Sequence, residues 1–243
     1  MSSRYVKGLR EAGLDAAGTE DLVRLANHGV TPQFVAGLRG IDPDDMSIDD
    51  LVQLADHGVS PEWFAAMQWV GFEGFTVESA IRLHDAGVTP EYANRLKVST
   101  RRHFTLEELR TLATHGVDSR YAARLSIVFG RKLTVEEIVR LHDHGVSTKY
   151  VARIGAMSQA AGTTDDLIML HDHGVPSAYA LEMGAAGYSR LAAEDLVRLH
   201  DHGVSPATVI ASPPVVPIRA QGTPAPFILA NTRPASAAGT VTM

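Results

Sequence analysis

The sequence predicts an all-α protein: an α-solenoid of about seven 29-residue two-helix repeats, followed by a Pro-rich extended C-terminal tail. Three columns of identical residues predict it. Glycine recurs every 29 residues without an insertion, at Gly29, Gly58, Gly87, Gly116, Gly145, Gly174 and Gly203. Valine follows each glycine, and leucine stands four residues before it. A fixed period of this length is typical of stacked repeats, in which each unit buries its apolar face against its neighbours.

Each repeat reads as two short helices, as residues 134–154 illustrate. Thr134 and Glu137 have the spacing of a capping box, in which each side chain satisfies a free backbone N–H at the helix start. Apolar residues then follow at helical spacing, and Gly145 predicts the helix end, because glycine adopts the left-handed conformation there without a Cβ penalty. Ser147 is placed to cap the second helix, and the equivalent residues of four other repeats precede a proline, which favours the first helical turn.

The same period sets the domain boundaries. Tyr5 lies 29 residues before Phe34, so residues 1–18 are predicted to be an N-terminal half-repeat and residues 19–212 the repeats. Residues 213–243 form the tail, which contains no acidic residue and is charged only at Arg219 and Arg233. Its composition is typical of an extended, polyproline-prone segment that is disordered or docks on another surface, such as the groove of a second copy.

Composition limits the class of protein. The formal charge is −6, which makes nucleic acid an unlikely partner because that class needs clustered cations. The chain has no cysteine, no signal-peptide pattern at its start and no run close to the ~20 apolar residues of a membrane span. We therefore expect a cytoplasmic protein without a membrane partner.

Ten of the 11 histidines form two columns at the end of the first helix of the repeat. One column directly precedes the glycine, and the other lies two residues earlier. Imidazoles are favourable there because they meet free carbonyl groups and the negative end of the helix dipole. We expect the histidines to satisfy the carbonyls of their own helix.

Metal binding is the alternative interpretation of the histidines. Its candidates are the HDH segments: His142, His144, His171, His173, His200 and His202. Two residues that are two positions apart on a helix point about 200° apart, so ligands would have to come from neighbouring repeats, about 8–10 Å away. A histidine array could also respond to pH, because protonation of all 11 would change the formal charge from −6 to +5. We predict no bound cofactor.

No catalytic constellation is recognisable. Catalysis needs one cluster that differs from its surroundings, whereas the histidines recur in every part of the repeat array. The nucleophile-elbow, phosphate-loop and dinucleotide-binding motifs do not occur. We therefore predict that the protein is not an enzyme.

The connections between repeats vary while the frame stays constant, and repeat proteins bind partners through such variable positions. The first connection is acidic at Asp42, Asp44 and Asp45, and later ones are basic or aromatic. Solvated loops whose sequences vary without any role in binding would show the same variation. The candidates for partner contact are Trp69, Phe72, Arg101, Arg102, Phe129, Arg131 and Lys132. The aromatic column that begins at Phe34 and Trp63 is interpreted instead as core.

The segments LVQLADHGVSPEWF (51–64) and LVRLHDHGVSP (196–206) resemble short helical repeats appended to some bacterial membrane proteins, among them antibiotic-sensing metallopeptidases and anti-sigma-type regulators. The resemblance covers nearly all of the repeats and implies a binding module without an activity. The repeats also look somewhat like those of mitochondrial terminators and other solenoids that read nucleic acid. Both resemblances imply binding.

The sequence therefore favours a non-enzymatic scaffold that binds protein or peptide and that could also form homo-oligomers through the solenoid or the tail. A metal- or pH-responsive histidine array and a nucleic-acid-binding solenoid are the alternatives.

Overall fold

A computed structural model of the chain describes residues 2–41, 46–155 and 163–210. The acidic connection at Asp42, Asp44 and Asp45, the connecting residues 156–162, and the predicted tail at 213–243 lie outside these residues. The described residues form helices and no strand, which confirms the all-α prediction.

The first helix of each repeat keeps one length and one register. In the described residues seven such helices, each nine residues long, begin at intervals of 29 residues. They are α2 (Thr19–Asn27), α4 (Ile48–Asp56), α6 (Val77–Asp85), α8 (Leu106–Thr114), α10 (Val135–Asp143), α12 (Thr164–Asp172) and α14 (Ala193–Asp201).

The second helices also begin every 29 residues, but their ends differ. They are α1 (Ser3–Glu11), α3 (Pro32–Arg39), α5 (Pro61–Val70), α7 (Pro90–Thr100), α9 (Ser119–Phe129), α11 (Thr148–Gly155), α13 (Ser177–Met183) and α15 (Pro206–Ile210). A π-helical turn, Gly184–Tyr188, continues α13. The helices α5, α7 and α9 are longer than α3 and α11. Much of what the sequence suggested to be connecting loop after them is therefore helix.

Helices of like type pack against each other in chain order. The chain divides into two compact units, Met1–Ala123 and Arg124–Met243. In the first unit α2, α4, α6 and α8 pack successively, as do α1, α3, α5 and α7. In the second unit α10, α12 and α14 form one series, and α11, α13 and α15 form the other. Within each unit this is the two-layer stacking of an α-solenoid.

One C-terminal motif explains the leucine, glycine and valine columns together. In the repeat around α10, Gly145 has φ +71°, and the N–H of Val146 donates to the carbonyl oxygen of Leu141 at 2.9 Å. This is the Schellman arrangement, in which an apolar contact between the two bonded residues accompanies the hydrogen bond. Both side chains are fully buried. The seven glycines of the column all have φ between 67° and 73°.

The predicted N-terminal caps are present. The Thr134 hydroxyl accepts from the N–H of Glu137 at 3.1 Å, and the Glu137 carboxylate accepts from the N–H of Thr134 at 2.8 Å. The same reciprocal pair starts α4, α8 and α12. None of the helices in the described part of the chain has the length and apolar character needed to span a bilayer.

Candidate functional site

The histidine directly before the glycine contacts the next repeat. The Nδ1 atom of His28 lies 2.7 Å from Oδ1 of Asp56, the last residue of the following first helix. The same pair recurs as His57–Asp85 (2.9 Å), His144–Asp172 (2.8 Å) and His173–Asp201 (3.1 Å). A carboxylate only accepts hydrogen bonds, so in these pairs Nδ1 donates.

The expectation that these histidines satisfy the carbonyls of their own helix is therefore wrong. At the end of α2 those carbonyls are already bonded: Arg24 accepts from the N–H of His28, and Leu25 from the N–H of Val30. The imidazole of His28 instead donates to Asp56 in the next repeat. This also explains why Asp56 stands in a last helical turn, where the helix dipole alone disfavours an acid.

The other histidine column contacts the preceding repeat. His84 packs edge-on against Trp63, with 5.3 Å between ring centroids. His171 and Tyr150 (5.5 Å), and His200 and Tyr179 (5.3 Å), make the same contact. In a repeat that carries both histidines, such as the one with His171 and His173, one imidazole contacts the preceding repeat and the other contacts the following repeat.

The aromatic column supplies a second inter-repeat bond. The Tyr150 hydroxyl donates to the carbonyl oxygen of Val175 at 2.9 Å, 25 residues along the chain. Tyr5, Tyr92 and Tyr179 bond the equivalent valine carbonyl, and Trp63 does so through Nε1. Burial raises the pKa of Tyr150 to about 12, and burial together with the nearby Asp118 raises that of Tyr92 to about 12.

Phe34 occupies the aromatic position but has no hydroxyl to donate to the next repeat. We expect Phe34→Tyr to raise the free energy of unfolding by about 0.5–1.5 kcal/mol, the net value of one hydrogen bond. Tyr150→Phe, the reverse change, is expected to lower it by a similar amount. Urea unfolding followed by circular dichroism measures the free energy of unfolding of both variants. If both substitutions change it in the same direction, the assignment of an inter-repeat hydrogen bond to this position is wrong.

The structure does not bring the six candidate metal-binding histidines together at one site. His144 and His173 are paired with aspartates, while His171 and His200 lie against tyrosine rings. His142 is half-buried, with Nδ1 3.6 Å from the Asp143 carboxylate, and His202 is exposed. Among the described residues no group of three or more His, Cys, Asp or Glu side chains is arranged to hold a metal ion.

Two of the predicted partner-binding arginines are engaged within the chain. The Arg131 guanidinium donates to both carboxylate oxygens of Glu137, at 2.7 and 3.1 Å, and lies 5.4 Å from the centre of the Phe129 ring. This contact lowers the pKa of Glu137. Arg102, 29 residues earlier, pairs with Glu108 in the same way. Both arginines extend a capping box, so their first role is structural.

Phe129, one of the candidates for partner contact, is not on the surface, because its side chain lies in the core at 5% exposure. Phe72 is half-buried, and the Lys97 ammonium lies 5.9 Å from its ring centre and donates to the carbonyl oxygen of Val70 at 2.6 Å. Arg101 and Lys132 are exposed, and Arg101 ends α7 with φ +50°.

Trp69 differs from these candidates because it is 84% exposed, on the last turn of α5. Val98 occupies the equivalent position of α7, which packs on α5, and is 67% exposed. Ile127 holds this position on α9 and is 75% exposed. Of the four exposed large apolar residues in the described part of the chain, three thus share one repeat position. We call Trp69 and Val98 the apolar pair.

Basic side chains lie beside the apolar pair. Arg95 is one helical turn before Val98 on α7, and Arg101 follows three residues after it. Both are exposed, and neither has a carboxylate partner among the described residues. Sequence reasoning found Trp69 and Arg101 but missed Val98 and Arg95. Aligning the second helices at their 29-residue spacing would have shown that position 98 matches position 69.

The chain was compared with protein-family models, curated proteins and solved structures. None of them matches it.

Proposed function

We propose that the chain is a non-enzymatic repeat scaffold that binds a protein or peptide partner through the apolar pair. The supporting observations are the 84% exposure of Trp69 on α5 and the 67% exposure of Val98 at the same position of α7, which packs on α5. Stacking does not require a large apolar residue at this position, since Gly40 and Ala185 hold it in other repeats. Tryptophan and arginine are the residues that most often dominate binding energy at protein interfaces.

The distribution of charge indicates the chemistry of the partner. The first helices carry 18 acidic and five basic residues, a net charge of −13, whereas the second helices carry four acidic and ten basic residues, a net charge of +6. The apolar pair lies on second helices, next to Arg95. A partner that combines apolar side chains with carboxylates complements this surface.

Affinity capture with the full chain as bait tests the proposal, followed by mass spectrometry of the bound proteins. We expect a partner that binds the native chain to be lost from the W69S/V98S variant. Both side chains are exposed, so the variant is expected to keep the native helical content and to change the free energy of unfolding by about 0.5 kcal/mol or less.

Val23→Ser is the matched control, because Val23 is 42% exposed and lies on α2, in the first-helix series. A partner that binds the native chain and W69S/V98S equally well would contradict the proposed surface. Nuclease treatment separates the alternative of nucleic acid: a bound species that nuclease removes, with steeply salt-dependent affinity, would identify a different class of partner.

A further inference from the structure

The face of α2 that points away from α4 is open in the described part of the chain. Val23 on this face is 42% exposed, whereas its apolar equivalents in later first helices are buried: Val52 (3%), Ile81 (9%), Val139 (8%), Ile168 (6%) and Val197 (7%). Beside Val23 runs a groove of about 310 Å³, lined by Glu20 and Asn27 among others. The groove lies where a preceding first helix would pack.

The opposite face is open on α14, which no described first helix follows. Leu199 is partly exposed there, although its equivalents Leu141 and Leu170 are fully buried. Among the described residues, the one ion pair of Arg198 is with Asp195 of its own helix, at 3.9 Å. His202 has no aspartate partner among the described residues, unlike the histidines before it.

We propose that the α14 face of one copy binds the α2 face of a second copy, so that the first-helix series continues from chain to chain. The residues match the contacts within the chain one by one. Arg198 meets Glu20 of the second copy, as Arg140 meets Asp165 at 2.6 Å. His202 meets Asn27, as His28 meets Asp56.

The apolar contact of the repeat is also completed at this junction. The position of Val23 is buried in the other repeats that carry an apolar residue there, and the position of Leu199 is fully buried in α10 and α12. Packing of α2 against α14 removes both side chains from water, which is the main driving force for such an interface. The ion pair and the hydrogen bond fix its register.

The second helices also fit this junction if one helix of the incoming copy replaces α15. In register, α1 of the incoming copy takes the place of α15 on α13. α1 is a complete second helix of nine residues, with Tyr5 at the aromatic position and Leu9 fully buried. α15 has five residues and carries Thr208 at the aromatic position. The incoming helix therefore offers a tyrosine where α15 has a threonine.

This association is heterologous, because two different faces meet, and it adds copies head to tail. It uses no residue of the apolar pair and goes beyond the partner binding proposed above. The W69S/V98S variant is expected to associate like the native chain. Failure of the partner-binding proposal can therefore be distinguished from failure of the self-association proposal.

Sedimentation velocity of the full chain at low salt, over concentrations up to about 1 mM, tests the junction. We expect the average mass to rise with concentration. Glu20→Arg and Arg198→Glu, each of which places two like charges at the junction, are expected to raise the dissociation constant on the order of tenfold. The double variant E20R/R198E restores opposite charges and is expected to associate like the native chain.

Two matched variants control for the change of charge. Glu91→Arg alters an exposed acid in the first turn of α7, and Arg153→Glu alters an exposed base in the last turn of α11. Both are expected to leave association unchanged. A chain that stays monomeric over the whole range overturns the proposal. So does association that the single reversals leave intact, or a double variant that remains as weak as the singles.

Discussion

Replacing Leu141 by alanine is expected to lower the free energy of unfolding by about 2–5 kcal/mol, the cost of removing a fully buried leucine side chain. Leu141 has no exposed surface, and α10, which carries it, packs on α12. Its carbonyl oxygen also accepts the N–H of Val146 at 2.9 Å, so the side chain packs at the residue that ends the helix. The cavity left by the substitution therefore lies in the contact between repeats.

Leu199→Ala is the matched control for this prediction. Leu199 occupies the same position of α14, and its carbonyl accepts the N–H of Val204 at 3.0 Å, but its side chain is partly exposed. The expected loss is smaller, about 1–2 kcal/mol. Urea unfolding followed by circular dichroism compares the two variants. Equal losses would contradict the conclusion that packing between first helices, and not the helix end alone, buries the leucine column.

The parts of the fold that the sequence predicts well are those set by local chemistry. Gly145 and Leu141 belong to one helix end, so their spacing specifies a hydrogen-bond pattern without knowledge of any neighbour. Thr134 and Glu137 likewise specify a helix start. A constant period then places each local motif at the same point of every repeat, which is why the helices begin 29 residues apart throughout.

The contacts between repeats were harder to predict because they join residues 21, 25 or 28 positions apart. A signal for the histidine–aspartate pairs is nevertheless present in the sequence. The third repeat has Ala86 in place of the histidine, and the fourth has Thr114 in place of the aspartate. The two positions change together, as expected for partners. Comparing each histidine with the next repeat would have indicated a carboxylate partner instead of the helix's own carbonyls.

The exposure of individual aromatic residues could not be predicted from the 29-residue period of the sequence. Trp69 and Phe129 both lie near the C-terminal ends of second helices, yet Trp69 is 84% exposed and Phe129 is 5% exposed. The difference arises because α9 continues through Phe129, which places that ring toward the core and Ile127 toward solvent. Helix length at this point is a tertiary property, and the sequence suggested a loop.

The helical content is expected to collapse cooperatively as the pH rises from 10 to about 12. Burial raises the pKa of Tyr92 and Tyr150 to about 12, from an ordinary value of 10.0, and burial also raises that of Tyr5, Tyr121 and Tyr179. In this interval the unfolded chain releases protons that the folded chain retains, so folding stability falls with rising pH. The stabilisation is fully present below pH 10 and is lost as the pH passes through the folded pKa values.

The physical reason is that the hydroxyls of Tyr5, Tyr92, Tyr150 and Tyr179 donate hydrogen bonds between repeats. A tyrosinate at position 150 would bring a negative charge to within 2.9 Å of the Val175 carbonyl oxygen and could no longer donate to it. Circular dichroism and tyrosinate absorbance, recorded in one alkaline titration, are expected to change together. The Y92F/Y150F variant is less stable at neutral pH, because two bonds are lost, but its stability should depend less steeply on pH between 10 and 12. Tyrosinate absorbance that appears well before any loss of helix would show that these hydroxyls ionise in the folded chain and that their bonds do not hold the repeats together.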